Sequence, residues 1–413
     1  MFVGITNTPR DYAWGSTTAI AGLLGTPETG APQAELWLGA HPGSPSVILD
    51  PAAVGGHANL AEWIAADPAA ALGTRTRLPF LLKVLAAASP LSLQAHPTLA
   101  QAAAGFAREN AEGVPLDAAY RNYKDDLHKP ELIFALSDRF DALCGFRSVA
   151  LVRASIEVLR SAADSDADDA VLAAFAERLV DDAALQSTFE WLISRSTDGV
   201  AGGVDTLVET VVRLAALEPA ASALEFSTVT ALAAEYPGDP GIVISLLLNR
   251  VALRRGEVLY LPAGNIHAYL FGLGIELMAS SDNVLRGGLT PKHVDVPELL
   301  TVLDFTPVAV PYLLPRFPVP GVALYVPDVP DFVLAHVQGD DVDAVLPLDG
   351  PAIAIVTSGT FALAGANADL DGTTGAAGSI VTLSRGDSVY VTPDEASLHI
   401  TGAGELFLAT TGR

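Results

Sequence analysis

GEVLYLPAGNIH, residues 256–267, is the stretch on which the fold turns. Gly256 permits a tight entry into the run Val258–Leu261, and Pro262 and Gly264 bend the chain out of it. His267 then starts the next strand with its side chain pointing inward. A single inward histidine is usually a satisfied core residue, so the reading depends on which other polar groups join it. LSLQAHP, residues 91–97, supplies two of them. Its alternation puts Leu91, Leu93 and Ala95 on one face and Ser92, Gln94 and His96 on the other, and Pro97 ends it. The apolar PFLLKVLAAASP (79–90) just before it marks the segment as buried.

The spacing Gly-x5-Pro-x-Gly-x2-His resembles the second metal motif of the cupin superfamily, with Phe271 standing where that pattern usually has asparagine. The first cupin motif places His-x-His on one strand, followed by a carboxylate. Gln94-Ala-His96 keeps that period of two, and Glu131 in HKPELIFAL (128–136) is the carboxylate. Glu131, Ile133 and Ala135 share a face against Leu132, Phe134 and Leu136. Four such polar side chains cannot be buried cheaply without partners, whereas one divalent metal satisfies Gln94, His96, Glu131 and His267 together. This nitrogen and oxygen donor set suits zinc; manganese, iron or cobalt would accept the same ligand types. With a single anionic ligand the metal keeps net positive charge, which suits a Lewis acid holding an oxygen-rich substrate.

Outward from these motifs, residues 1–97 read as short strands and turns with a helical piece at NLAEWIAADPAAAL, and TLAQAAAGFARENAEG reads as a helix ending near Gly113. Apolar residues at helical spacing from about Val149 to Ala234 predict an all-helical block ended by PGDPG, with ISLLLNRVAL as one more helix. Past Pro307 the chain is Val-rich, with strand-length runs separated by Gly, Pro and Asp. RGDSVYVTP (385–393) echoes RGEVLYLPA (255–263), as two versions of one jelly roll would. The second copy lacks the Gln, His and Glu of the first. The C-terminal region therefore reads as metal-free, with His399 as a structural or surface histidine. The expected fold is mainly β with an α insertion: two cupin-type jelly-roll regions plus an all-helical domain. Its catalytic roll takes residues 1–148 and 236–306, the helical insertion 149–235, and the second roll 307–413.

The 413-residue chain carries a formal net charge of −25, which argues against nucleic acid or an anionic membrane surface as partner. An anionic substrate would need a local cluster of Lys and Arg. One cysteine, Cys144, excludes an internal disulfide and fits a reducing compartment. Neither a signal peptide nor a membrane span is read, so the expectation is a soluble cytoplasmic protein, taken as a monomer.

YAWGS (12–16), AELWLGAHPGSPS (34–46), LQAHP, HKPEL, LPAGNIHAYL (261–270) and SSDNVLRGGLTPKHVDV (280–296) together resemble the type I mannose-6-phosphate isomerases. The resemblance implies an enzyme interconverting mannose 6-phosphate and fructose 6-phosphate, one Zn2+ per chain held by Gln94, His96, Glu131 and His267, and an active-site role for Arg286. Gly287 and Gly288 let the chain curl so that Arg286 can reach inward. Such an isomerase moves a proton between C2 and C1 through an enediolate, whose charge needs a positioned cation. Two pairs compete for the proton transfer, Tyr269 with Asp282 and Lys129 with His128. Lys83, Lys129 and Lys292 are the cations expected near the substrate phosphate, and Ser92 is a further substrate neighbour. Another cupin sugar isomerase and a non-catalytic sugar-binding cupin are the alternatives; the intact polar cluster disfavours the second.

Overall fold

The computed structural model describes residues 1–200, 202–217, 223–366 and 380–412. Two antiparallel nine-stranded sheets dominate it. In the first, Leu285–Arg286, Gln94–Ala95, His267–Ala279, Phe80–Ala87 and Glu35–Leu38 run side by side, and Glu131–Ala135, Phe140–Phe146, Leu248–Leu253 and Val258–Leu261 complete it. The second takes Arg316–Val319, Val322–Tyr325, Val333–Pro347, Ala352–Gly365, Ile380–Ser384, Ser388–Val391 and Ser397–Thr410. Its far edge comes from the other end of the chain, where Phe2–Thr6 pairs with Ser388–Val391 and with Val47–Ile48.

The alternation read in ELIFA sorts as expected. Ile133 and Ala135 join a core inside the first roll with Leu85, Cys144 and Leu259. Leu132 and Phe134 join the core between the two sheets, with Tyr325 and Phe407. Phe134 meets Phe407 edge to face at 4.9 Å. A separate core fills the second roll around Val337, Phe361 and Leu406. In the echoed motifs, Gly256 and Gly386 sit at φ 89° and 92°, each turning the chain into a four-residue strand.

The helical block contains Val149–Ser161, Asp166–Arg178, Leu185–Ile193, Gly203–Ala215 and Leu224–Glu235. Their apolar stripes form one core that extends to Leu93, Ala95 and Leu285 at the edge of the first sheet. ISLLLNRVAL departs from expectation: after one short 3-10 turn, Leu248–Leu253 is a strand pairing with Phe140–Phe146. Adjacent Asn249 and Arg250 put one polar side chain on each face, the first bonding the backbone oxygen of Cys144 and the second pairing with Asp141 at 2.8 Å, which removes the period-two signal. LSLQAHP yields only a two-residue strand, Gln94–Ala95, ended by Pro97 and the helix Leu99–Ala111. His399 pairs with Asp343 at 2.6 Å within the second sheet. Among the described residues no helix is long and apolar enough to cross a membrane.

Candidate active site and metal centre

His96, just past the strand Gln94–Ala95, converges with Glu131 and His267, the first residues of two other strands; all three are buried, with one donor atom from each lying within 4.8 Å of the others. Backbone carbonyls orient both rings: His96 Nδ1 lies 2.7 Å from the oxygen of Asn283, and His267 Nδ1 lies 3.1 Å from that of Asn265. With Nδ1–H donating, each Nε2 turns its lone pair toward Glu131, at 3.2 Å in both cases. Lone pairs facing a carboxylate repel unless a cation sits among them, and His96 Nε2 has no hydrogen-bond partner among the described residues. Carbonyl-oriented imidazoles with one carboxylate are the donor chemistry of a divalent metal site, so the residues fit one. Gln94 lines the same small cavity, and its backbone pairs with both His267 and Arg286.

Burial pushes the Glu131 carboxyl up, but Lys129, His96 and His267 outweigh it and hold the group well below the usual range. His96 is held down to about 4, by burial first and then by Lys129. Both groups therefore rest in the protonation state that a metal requires. A pH dependence follows for metal-free protein. The folded state refuses a proton that the unfolded chain accepts near pH 6.5. The His96 contribution is thus complete above that pH and is lost as pH falls toward 4, roughly 3 kcal/mol in all. Urea unfolding of metal-free protein across this window should show the loss in the wild type and a clearly smaller one in His96→Gln.

The centre opens into a cavity of about 550 Å³ lined by Trp14, Trp37, Lys83, Ser92, Gln94, Lys129, Asp282, Arg286 and Lys292, among others. Of the residues named from sequence, Lys83, Ser92, Gln94, Lys129, Asp282, Arg286 and Lys292 are brought together here. Lys129 Nζ lies 2.8 Å from Glu131. Lys83 Nζ lies 2.8 Å from Glu276 and 3.5 Å from Glu35; burial alone would lower its pKa, but these carboxylates raise it. Lys292 is held below the usual amine range by burial and by the charge of Arg286. Cations therefore gather in a cleft of a strongly acidic chain.

Neither proton-transfer pair is intact. His128 faces away from the cavity and bonds Asp331 of the following β region at 2.8 Å, because the residue next to Lys129 on an extended chain points oppositely. Tyr269 and Asp282 are also separated. Asp282 pairs with His41 at 3.2 Å. Tyr269 is buried beside His267, with Glu276 near its hydroxyl. Burial, then Glu131 and Glu276, raises the Tyr269 pKa well above that of an ordinary phenol.

Glu35, Trp37, His41 and Glu276 were not found from sequence. Trp37 donates to Glu35 at 2.9 Å, holds Lys83 Nζ 5.0 Å from its ring centre, and meets His41 edge-on at 4.9 Å. Alternation in ELWL, with Leu36 and Leu38 in the core between the sheets, was the available signal for Glu35 and Trp37.

The family "Phosphomannose isomerase type I, catalytic domain" matches residues 2–149. Mannose-6-phosphate isomerase of Escherichia coli (strain K12) is 35% identical over 410 residues, covering 97% of each chain. A mutant phosphomannose isomerase from Salmonella typhimurium matches in structure with a TM-score of 0.84 at 32% identity, over 100% of both chains. A zinc-bound mannose 6-phosphate isomerase structure matches at 0.83 and 32%, again over 100% of both. Identity at this level along nearly the whole length, on the same pair of rolled sheets, is common descent: the chain belongs to the type I phosphomannose isomerase family.

Proposed function

We propose that this chain is a zinc-dependent isomerase that interconverts mannose 6-phosphate and fructose 6-phosphate through an enediolate. The observation that carries the reading is the His96–Glu131–His267 centre, placed beside a cleft that gathers Lys83, Lys129, Arg286 and Lys292. Gln94, His96, Glu131 and His267 would hold the metal, which supplies a Lewis acid for adjacent sugar oxygens when bound. Arg286 offsets the negative charge that develops on the enediolate, and it shares the outer part of the cleft with Lys292, a suitable seat for a phosphate. Asp282, ionised and backed by His41, takes the proton from C2 and returns it to C1. Lys129, held at the metal by Glu131, donates hydrogen bonds to the substrate oxygens. Lys83 is braced by two carboxylates and Trp37 at the inner wall, and Ser92 contacts the sugar.

In the same reading the enzyme is a cytoplasmic monomer with one zinc per chain, and the buried, unpaired Cys144 agrees with a reducing compartment. The division into residues 1–148 with 236–306, 149–235 and 307–413 serves as its working map, with residues 2–6 and 47–48 lent to the second sheet. A coupled assay on mannose 6-phosphate is expected to show turnover that a chelator abolishes and stoichiometric zinc restores. Equal turnover of unphosphorylated mannose would instead favour a different sugar isomerase.

A further inference from the structure

PGDPG, residues 237–241, ends the helical block in sequence, yet its aspartate reaches far beyond its own turn. Asp239 Oδ1 accepts the N–H of Gly241 at 2.7 Å, a local bond that many turn aspartates make. It also accepts the N–H of Leu289 at 3.0 Å, fifty residues further on. Leu289 is fully buried and has φ 54°, a conformation that a leucine keeps only when its surroundings hold it there. The two backbones interlock. A Cβ on Gly241 would stand 2.9 Å from Leu289 N and 2.8 Å from Asp239 Oδ1, and one on Gly288 (φ 113°) would stand 3.1 Å from Gly241 Cα.

The Leu289 turn directly follows Arg286. Leu93 N donates to Gly288 O at 3.1 Å, Gly287 N donates to Leu93 O at 2.8 Å, and Arg286 pairs with Gln94 in register. On the other side, the Tyr236 hydroxyl donates to Pro90 O at 2.7 Å, at the start of the segment carrying Ser92 and Gln94. One short turn thus grips the cleft on two sides.

We infer that residues 236–241 are a positioning clasp, in which Asp239 fixes the Leu289 turn and, through it, the direction of Arg286, while Tyr236 anchors the Gln94 segment. The helical block thereby acquires a task beyond covering the roll: it delivers this clasp. The inference rests on the proposed role of Arg286 only for its kinetic consequence; the structural consequence stands apart.

Asp239→Ala and Asp239→Asn test it, each read by amide hydrogen exchange on metal-free and zinc-loaded protein, by unfolding midpoint, by zinc content and by kcat and KM. Asp239→Ala should speed exchange selectively across residues 286–292 and lower kcat about 10- to 100-fold, with zinc content kept. Asp239→Asn keeps an acceptor oxygen and should retain most of the activity. Tyr236→Phe, which removes one hydroxyl, should loosen residues 90–94 and lower kcat less. Unchanged exchange over 286–292 in Asp239→Ala overturns the clasp. A loss of kcat matched by faster exchange throughout the protein also overturns it, since that is a folding defect. Were the wild type inactive on mannose 6-phosphate, the functional reading would fall, and the exchange pattern would still decide the clasp.

Discussion

Replacing Glu131 with glutamine is expected to remove bound zinc and lower kcat by at least about 10³-fold, the scale of several kcal/mol of Lewis-acid stabilisation. The shape of the side chain is kept, so the effect isolates charge. Glu131 is the one anion in the proposed ligand set, buried against Lys129 at 2.8 Å and two imidazoles at 3.2 Å. With glutamine there, a dication would enter a buried site of four neutral donors with an ammonium next to it, and repulsion would replace attraction. Metal analysis after dialysis and a coupled assay with added zinc check this together. An Glu131→Gln protein that holds stoichiometric zinc and turns over at a tenth of the normal rate would remove Glu131 from the centre. The fold should survive, because neighbouring Ile133 and Phe134 still fill their two cores.

Arg286→Ala should leave zinc in place and lower kcat about 10²- to 10³-fold, as expected for loss of a donor aimed at developing charge. The guanidinium lies half buried in the cleft and forms no ion pair with a carboxylate among the described residues. Burial alone lowers its pKa, with no compensating anion, so its charge is available to the substrate. Arg286→Lys restores the charge without the planar fork and should recover part of the loss. Measuring kcat and KM separately distinguishes a role in the enediolate step, which moves kcat, from plain phosphate attraction, which moves KM. A fall of less than tenfold in kcat, with zinc retained, would confine Arg286 to binding.

The cluster of His96, Glu131 and His267 was legible in sequence because His96 and Glu131 sit on simple repeats. Gln94 and His96 are two apart, and Glu131 leads an alternating strand that the two cores sort cleanly. Glu276 was not legible, for a local reason. Counting by twos from His267 along the strand to Ala279 gives Phe271 and then Ile275, and so places Glu276 on the wrong face. The pairing shifts between Tyr269 and Phe271, a bulge that reverses the phase. Phe271, where the resembled pattern has asparagine, is consequently 51% exposed, Ile275 and Leu277 enter the core between the sheets, and Glu276 turns to Lys83. The pairing of Asp282 with His41 defeats sequence reading differently: His41 looks like an ordinary loop residue, and only the fold brings it to Asp282. The strand Leu248–Leu253 differs from the expected helix because adjacent Asn249 and Arg250 place a polar residue on each of its faces, leaving no period of two to count.

The strand Phe2–Thr6 has its partner at Ser388–Val391, nearly the full length of the chain away. During synthesis the first residues leave the ribosome long before the strand they pair with exists, so the second sheet closes late, through a contact of very high sequence separation. Until then Val3 and Ile5, both buried in the finished protein, remain exposed to water. A shortened chain that stops before residue 388 would leave this edge open, a template for pairing with other chains. A circularly permuted form that starts within the second roll would bring the two strands close in sequence and should reach the folded state with less aggregation at the same final stability.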